Sequence, residues 1–162
     1  MTGTESHFVL ENDPTLIPPL IGHLRENLSR MKLCDGNGVL RVTVALGEAV
    51  NNAILHGNLE MSSALREGDT GEYEKLARKR RQQQPYRDRR VHVVARESLT
   101  QAEYLIRDEG PGFDPSSLPD PTDPANLEKA SGRGLLLIRT FMDRVSHNPT
   151  GNEITMLKRR NV

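Results

Sequence analysis

The stretch from about residue 39 to residue 56 constrains this chain more than any other. At ~100° per residue, Leu46, Ala49, Val50 and Ala53 share one face of a helix, and Glu48, Asn51, Asn52 and His56 fall on roughly the opposite side. The apolar stripe needs a second layer to bury it. The polar side is unusual: two adjacent asparagines occupy a helix interior, where Asn is a poor helix former without some other reason. Gly57-Asn58 then supply a C-terminal break.

Elements of both kinds flank this helix. Phe8-Val9-Leu10 reads as a short edge strand. Asp13 and Pro14 read as the cap and first position of a helix in which Leu16, Ile17, Leu20, Ile21, Leu24 and Leu28 form one buried stripe, ended by Asp35-Gly36-Asn37-Gly38. Further on, 90–96 and 103–107 are predicted strands, the former through Val91 and Val93 alternating with His92. Pro115, Pro119, Pro121 and Pro124 make 114–130 a loop. A helix resumes near Gly134 and runs to about Asp143, and 144–147 with 153–158 form a final hairpin.

Residues 59–90 look like an insertion. Tyr73, Leu76 and Ala77 offer a helix only a weak apolar face, and Lys75, Arg78, Lys79, Arg80, Arg81, Arg87, Arg89 and Arg90 are opposed by the single acid Asp88. A solvated helix is the plain reading of this cluster. Nucleic-acid binding is the rival, set aside here, and docking on an acidic protein would also fit.

Composition narrows the classes. A chain of 162 residues suits one domain, taken as 1–162. Aromatics make up 4% and Trp is absent, so the core is aliphatic and little surface is available for stacking bases. Lys plus Arg and Asp plus Glu both number 22, so overall charge selects no partner. The one cysteine, Cys34, excludes an internal disulfide and any multi-cysteine zinc site. The first eight residues lack a secretory pattern, and no stretch approaches the ~20 apolar residues that span a bilayer. A cytoplasmic protein without a membrane partner is therefore expected.

Three segments carry chemistry. Glu48 and Asn52 stand one helical turn apart, so a carboxylate and an amide oxygen adjoin: oxygen ligands suited to magnesium, and a potential base. An amphipathic helix with a solvated polar face explains them equally well in isolation. Asp108-Glu109-Gly110-Pro111-Gly112-Phe113 follows an apolar strand; Asp108 could accept a hydrogen bond from an exocyclic amine, and the glycines permit close approach, although a plain Gly/Pro turn has the same composition. Ser131-Gly132-Arg133-Gly134-Leu135 enters a helix, whose N-terminal amides form an anion site. Neither a Walker motif nor a dinucleotide fingerprint is present.

Taken together, Glu48…Asn52…His56-Gly57-Asn58, then Asp108…Gly110…Gly112-Phe113, then Gly132-Arg133-Gly134-Leu135 before Phe141-Met142-Asp143 resemble the N, G1 and G2 boxes of the GHKL (Bergerat-fold) ATPase superfamily. Within it the chain looks most like the small anti-sigma-factor serine/threonine kinases. The resemblance implies an α+β fold: a two-layer α/β sandwich whose mixed, mostly antiparallel sheet carries helices on one face, with ATP between the helices and a lid at 114–130. It implies Mg2+ at Asn52, Glu48 as general base, Asp108 on the adenine amino group, Gly110 and Gly112 lining the base and ribose pocket, and Gly132 and Gly134 receiving the phosphates. His56, Phe113, Ser131, Arg133 and Leu135 belong to the same nucleotide motifs. One departure is that Gly151 is followed by Asn152, where family members often carry a Thr that helps fix the adenine.

The activity so implied is phosphorylation of a small antagonist protein, with a sigma factor as competing partner and a homodimer as the assembly common among small members. Two alternatives stand beside it. One is a non-catalytic module in which ATP only gates partner binding; the other is a detached histidine-kinase catalytic domain, since no phosphoacceptor helix bundle is visible.

Overall fold

The computed structural model of the protein describes residues 3–61, 71–113 and 130–160, for 130–133 the backbone alone. The N-terminal strand β1 spans Gly3–Leu10. Asp13 Oδ1 then accepts from the backbone N–H and hydroxyl of Thr15 and caps a single 3-10 turn, Pro14–Leu16. The helix proper, α1, is Ile17–Met31, and its stripe buries Leu20, Leu24 and Leu28. Lys32 ends it in a left-handed conformation (φ 54°).

The second helix starts earlier than the glycines at 36 and 38 imply. Asp35 Oδ1 accepts the Gly38 N–H at 2.7 Å, so α2 runs Gly36–Asn52 with its expected break folded into the first turn. Its C-terminal end widens into a π-helical turn, Ala53–Asn58. The Leu59 N–H accordingly bonds back to the Ile54 carbonyl at 2.9 Å. By length and composition Gly36–Asn58 could cross a bilayer, but half of it is buried within the protein, as a core helix is.

Within the insertion, α3 is Glu72–Arg81, and Tyr86–Asp88 makes a 3-10 turn. Strands β2 (Val91–Ser98) and β3 (Gln101–Arg107) follow. The last helix, α4, is Ala130–Phe141, four residues ahead of the expected start at Gly134, and β4 (Arg144–His147) and β5 (Glu153–Arg159) close the chain. The lid at 114–130 lies outside the described residues save Ala130.

The strands form one sheet in the order β1-β2-β3-β5-β4, and every described pair is antiparallel. Because successive side chains alternate, Val91, Val93 and Ala95 of β2, Ala102, Tyr104 and Ile106 of β3 and Met156 of β5 all point to one face, and all are buried. Helix α2 packs against both α1 and α4, and α1 also meets β2. The fold is thus an α+β two-layer arrangement with an aliphatic core between layers. Leu24, Leu28, Val42, Leu46, Val50 and Ile54 are at most 1% exposed, each worth about 1.5–3 kcal/mol of burial.

The insertion helix is solvated on one side, where Glu72, Glu74, Lys75, Arg78 and Lys79 are exposed, but its other side is not. Tyr73 is 6% exposed, and Leu76 and Ala77 pack against the core. Arg80 and Arg89 turn inward as well: Arg80 Nη1 reaches the carbonyls of Leu59 and Glu60, and Arg89 Nη1 that of Asn58, all at 2.8 Å.

Candidate functional site

The three sequence segments meet at one cavity of about 290 Å³, at the small end of ligand pockets. Helix α2 and its π turn contribute Ala49, Asn52, Ala53, His56 and Gly57. The end of β3 and the segment after it contribute Ile106, Asp108, Gly112 and Phe113; α4 contributes Leu135 and Ile138. The hairpin between β4 and β5 closes the remaining side through His147, Gly151 and Asn152.

Asp108 is the polar centre of this apolar hollow. It is 9% exposed, and its Oδ1 accepts the Gly110 N–H at 2.8 Å. Burial pushes its pKa up from 3.8 to about 6, against the opposing pull of the Gly110 N–H and of Arg89. Glycines clear the space around it. A Cβ at Gly57 would run into the Asp108 carboxylate, and one at Gly110 into the Gly57 carbonyl. Gly112 (φ 77°) lies against the Thr150 carbonyl, and Gly151 (φ 75°) against Phe113. The Phe113 N–H bonds to the Thr150 carbonyl at 3.0 Å, which stitches the segment after β3 to the hairpin.

Asn152 is occupied in holding this corner. Its Nδ2 donates to the Asp108 carbonyl at 3.2 Å, its own carbonyl accepts the Asp108 N–H at 2.9 Å, and its Oδ1 accepts from Asn148 and Thr150. It braces the backbone that carries Asp108 while lining the cavity. Asn58, fully buried, does the same from the other direction: its Oδ1 accepts the Glu109 N–H and its Nδ2 donates to Asn12 Oδ1, both at 2.7 Å. His56 Nδ1 donates to the Met61 carbonyl at 2.5 Å, which fixes the ring's orientation against the cavity.

Asn52 lines the other end of the cavity, and beside it Glu48 faces Gly134 of α4; neither Glu48 nor Gly134 lines the cavity itself. A methyl added to Gly134 would stand 2.9 Å from Glu48 Oε2 and 3.5 Å from Asn52 Nδ2, so only glycine lets the helices approach this closely with both side chains in place. Ser131, Gly132 and Arg133 form the first turn of α4 as backbone; their side chains lie outside the described residues. Gly134, at the start of the second turn of this twelve-residue helix, is thus the point where α4 meets a carboxylate and an amide. Leu135 and Ile138, 9% and 1% exposed, form an apolar wall.

Sequence motifs did not single out His147, Asn148, Asn12, Ile106 or Ile138 as parts of the site. His147 meets Phe113 edge-on, with ring centroids 5.5 Å apart, and burial followed by the Arg139 charge lowers its pKa. Its strand register carries no motif, and Ile106 and Ile138 are indistinguishable from core residues in one dimension. Asn12 sits beside Asp13 in what reads as an ordinary cap.

Among the described residues, no three His, Cys, Asp or Glu side chains converge as a metal site. A cation here would be held by few protein atoms and complete its shell from a bound ligand, as Mg2+ commonly does. A buried carboxylate acceptor, a glycine-lined slot and a helix N-terminus at the far end fit a ligand with an amine-bearing ring at one end and anionic groups at the other.

The family model for the histidine kinase-like ATPase domain matches residues 10–158 of this chain. No individual curated protein matches it.

Proposed function

This chain belongs to the histidine kinase-like ATPase family and binds ATP, and on that footing we propose that it is a serine/threonine protein kinase of the anti-sigma-factor type. The observation that carries the ATP-site assignment is one cavity that runs from the buried acceptor Asp108 to Asn52 and Leu135, with Glu48 and Gly134 meeting beside Asn52.

In this reading the adenine amino group donates to Asp108, and Gly57, Gly110 and Gly112 let the ring lie against the backbone. The cavity holds the base and sugar, and the triphosphate extends toward the N-terminal amides of α4 around Gly132 and Gly134. Mg2+, which would be held by the Asn52 amide oxygen, supplies neutralisation of phosphate charge. Glu48 orients the hydroxyl of a serine on the partner protein and takes its proton. The seryl oxygen bonds to the γ-phosphorus, the bond to the β–γ bridging oxygen breaks, and ADP leaves. The half-buried position of Glu48, one turn from Asn52, suits a base better than a surface charge does.

The partner is proposed to be a small antagonist protein, with a sigma factor bound in competition. Radiolabelled ATP incubated with the purified protein and candidate antagonists should place label on a partner serine. Glu48→Gln should keep ATP affinity and lose transfer. If Glu48→Gln leaves partner regulation intact while no label moves in the wild type, the kinase assignment gives way to a nucleotide-gated binding module. Asn52→Ala should weaken Mg-ATP far more than metal-free ATP; equal weakening of both would remove Asn52 as the metal ligand.

A further inference from the structure

The insertion stands outside the motifs that assign the site, yet it supplies the cap for the helix that carries them. A helix leaves its last carbonyls without internal partners, at the negative end of its dipole. Here the carbonyl of Asn58, the last of the π turn, and those of Leu59 and Glu60 just past it are taken by guanidinium groups distant in sequence. Arg89 donates to the Asn58 carbonyl and to Glu60 Oε2, both at 2.8 Å, and Arg80 donates to the Leu59 and Glu60 carbonyls at 2.8 Å each. The Tyr86 ring lies by both, each guanidinium carbon 5.3 Å from its centroid, so the two arginines share one platform.

The clamp closes on itself. Asn12 Nδ2 donates to the carbonyls of Tyr86 and Arg89 at 2.9 and 3.1 Å, and Asn12 Oδ1 accepts from Asn58. Asn58 Oδ1 takes the Glu109 N–H, and the Glu109 side chain accepts the Arg90 N–H. Within this ring of bonds sit the neighbours that shape the base end of the cavity: Gly57 against the Asp108 carboxylate, and Gly110 against the Gly57 carbonyl.

We infer that Arg80 and Arg89 are positioning residues for the base end of the nucleotide cavity, holding the π turn of α2 at the separation from Asp108 that an adenine requires. The insertion is therefore a handle on nucleotide affinity: whatever shifts 72–90 shifts Gly57 and Asn58 relative to Asp108. This rests on reading the cavity as the ATP site. It does not touch the phosphate end, which is formed by Glu48, Asn52 and α4.

The test separates the two ends. Wild-type protein, Arg80→Ala, Arg89→Ala and Arg89→Lys are titrated with Mg-ATP, Mg-GTP and Mg-tripolyphosphate, and amide hydrogen exchange is followed at Leu59, Met61 and Gly110. Each alanine variant should weaken ATP by about tenfold, the scale of coupling between sites, narrow the preference for ATP over GTP, and leave tripolyphosphate binding unchanged. Exchange at the three amides should quicken while that of β2 and β3 does not, and Arg89→Lys should recover only part of the loss. Where an alanine variant fails to fold, Tyr86→Leu, which keeps both charges and removes their platform, should shift ATP affinity in the same direction. Unchanged ATP affinity, or equal loss of ATP and tripolyphosphate, would overturn the inference while leaving the site assignment standing. A wild-type protein that binds no ATP would overturn both.

Discussion

At the scale of single residues, Asp108 and the glycines around it govern the site. The carboxyl's pKa is raised from 3.8 to about 6, so its ionised form is the disfavoured one in the free protein. The sign follows from linkage: the stability tied to this group is complete below pH 3.8 and lost as pH rises through 6, a loss of about 3 kcal/mol by pH 7. Asp108→Asn should therefore gain stability over the wild type between pH 4 and pH 7 in urea denaturation without nucleotide. An adenine amine favours the ionised carboxylate. ATP binding should thus weaken below pH 6 in the wild type, and the difference from Asp108→Asn, in which the nucleotide's own titration cancels, should be largest above pH 6 and vanish at lower pH. Gly134→Ala tests the other end. Alanine suits a helix, and its methyl meets the flexible end of Glu48, so the melting temperature should hold while phosphoryl transfer falls. Gly57→Ala meets the Asp108 carboxylate instead and should abolish ATP binding. Calorimetry distinguishes the two variants.

At the scale of elements, α2 holds the molecule together and also carries the N-terminal half of the site. Its beginning depends on a single cap: Asp35→Ala should cost about 1 kcal/mol in chemical denaturation and leave ATP affinity alone, since Gly38 lies about three turns from the nearest cavity residue of α2, Ala49. Its end depends on the π turn, which brings Gly57 under Asp108. The apolar stripe of α2 was legible from spacing, and so was its break near Gly57-Asn58, because both are properties of neighbouring residues. The change from α to π winding was not legible. It is stabilised by Arg80 and Arg89, some twenty to thirty residues away, and local propensity contains no trace of them. For the same reason α3 reads as solvated: its inward face is Tyr73, Leu76, Ala77 and Arg80, too short an apolar stripe for periodicity alone to bury.

At the scale of the whole molecule, nucleotide binding should report on the fold. ATP at a hundredfold excess over its Kd stabilises by about 2.7 kcal/mol, which for a chain of this size raises Tm by roughly 5–10 °C. The rise should depend on Mg2+ in the wild type and lose that dependence in Asn52→Ala; thermal melts with and without a chelator check it. Sheet order accounts for why one ligand would feel so many segments. With β5 between β3 and β4, the hairpin at 148–152 lies beside the end of β3, and Asn152 bonds to Asp108 across the strands.

Composition and spacing were enough to establish an aliphatic chain of helices and strands with three polar motifs, since hydrophobic period, caps and glycine runs are written in adjacent residues; the α+β arrangement came from the resemblance of those motifs to a family. They were not enough to show what supports those motifs. The buried bonds of Asn12 and Asn58, the capping of α2 by Arg80 and Arg89 and the bracing of Asp108 by Asn152 each join residues about twenty to seventy-five positions apart. Such contacts form only once the sheet and helices bring the partners together, because a desolvated polar group is stable only where folding has placed its complement.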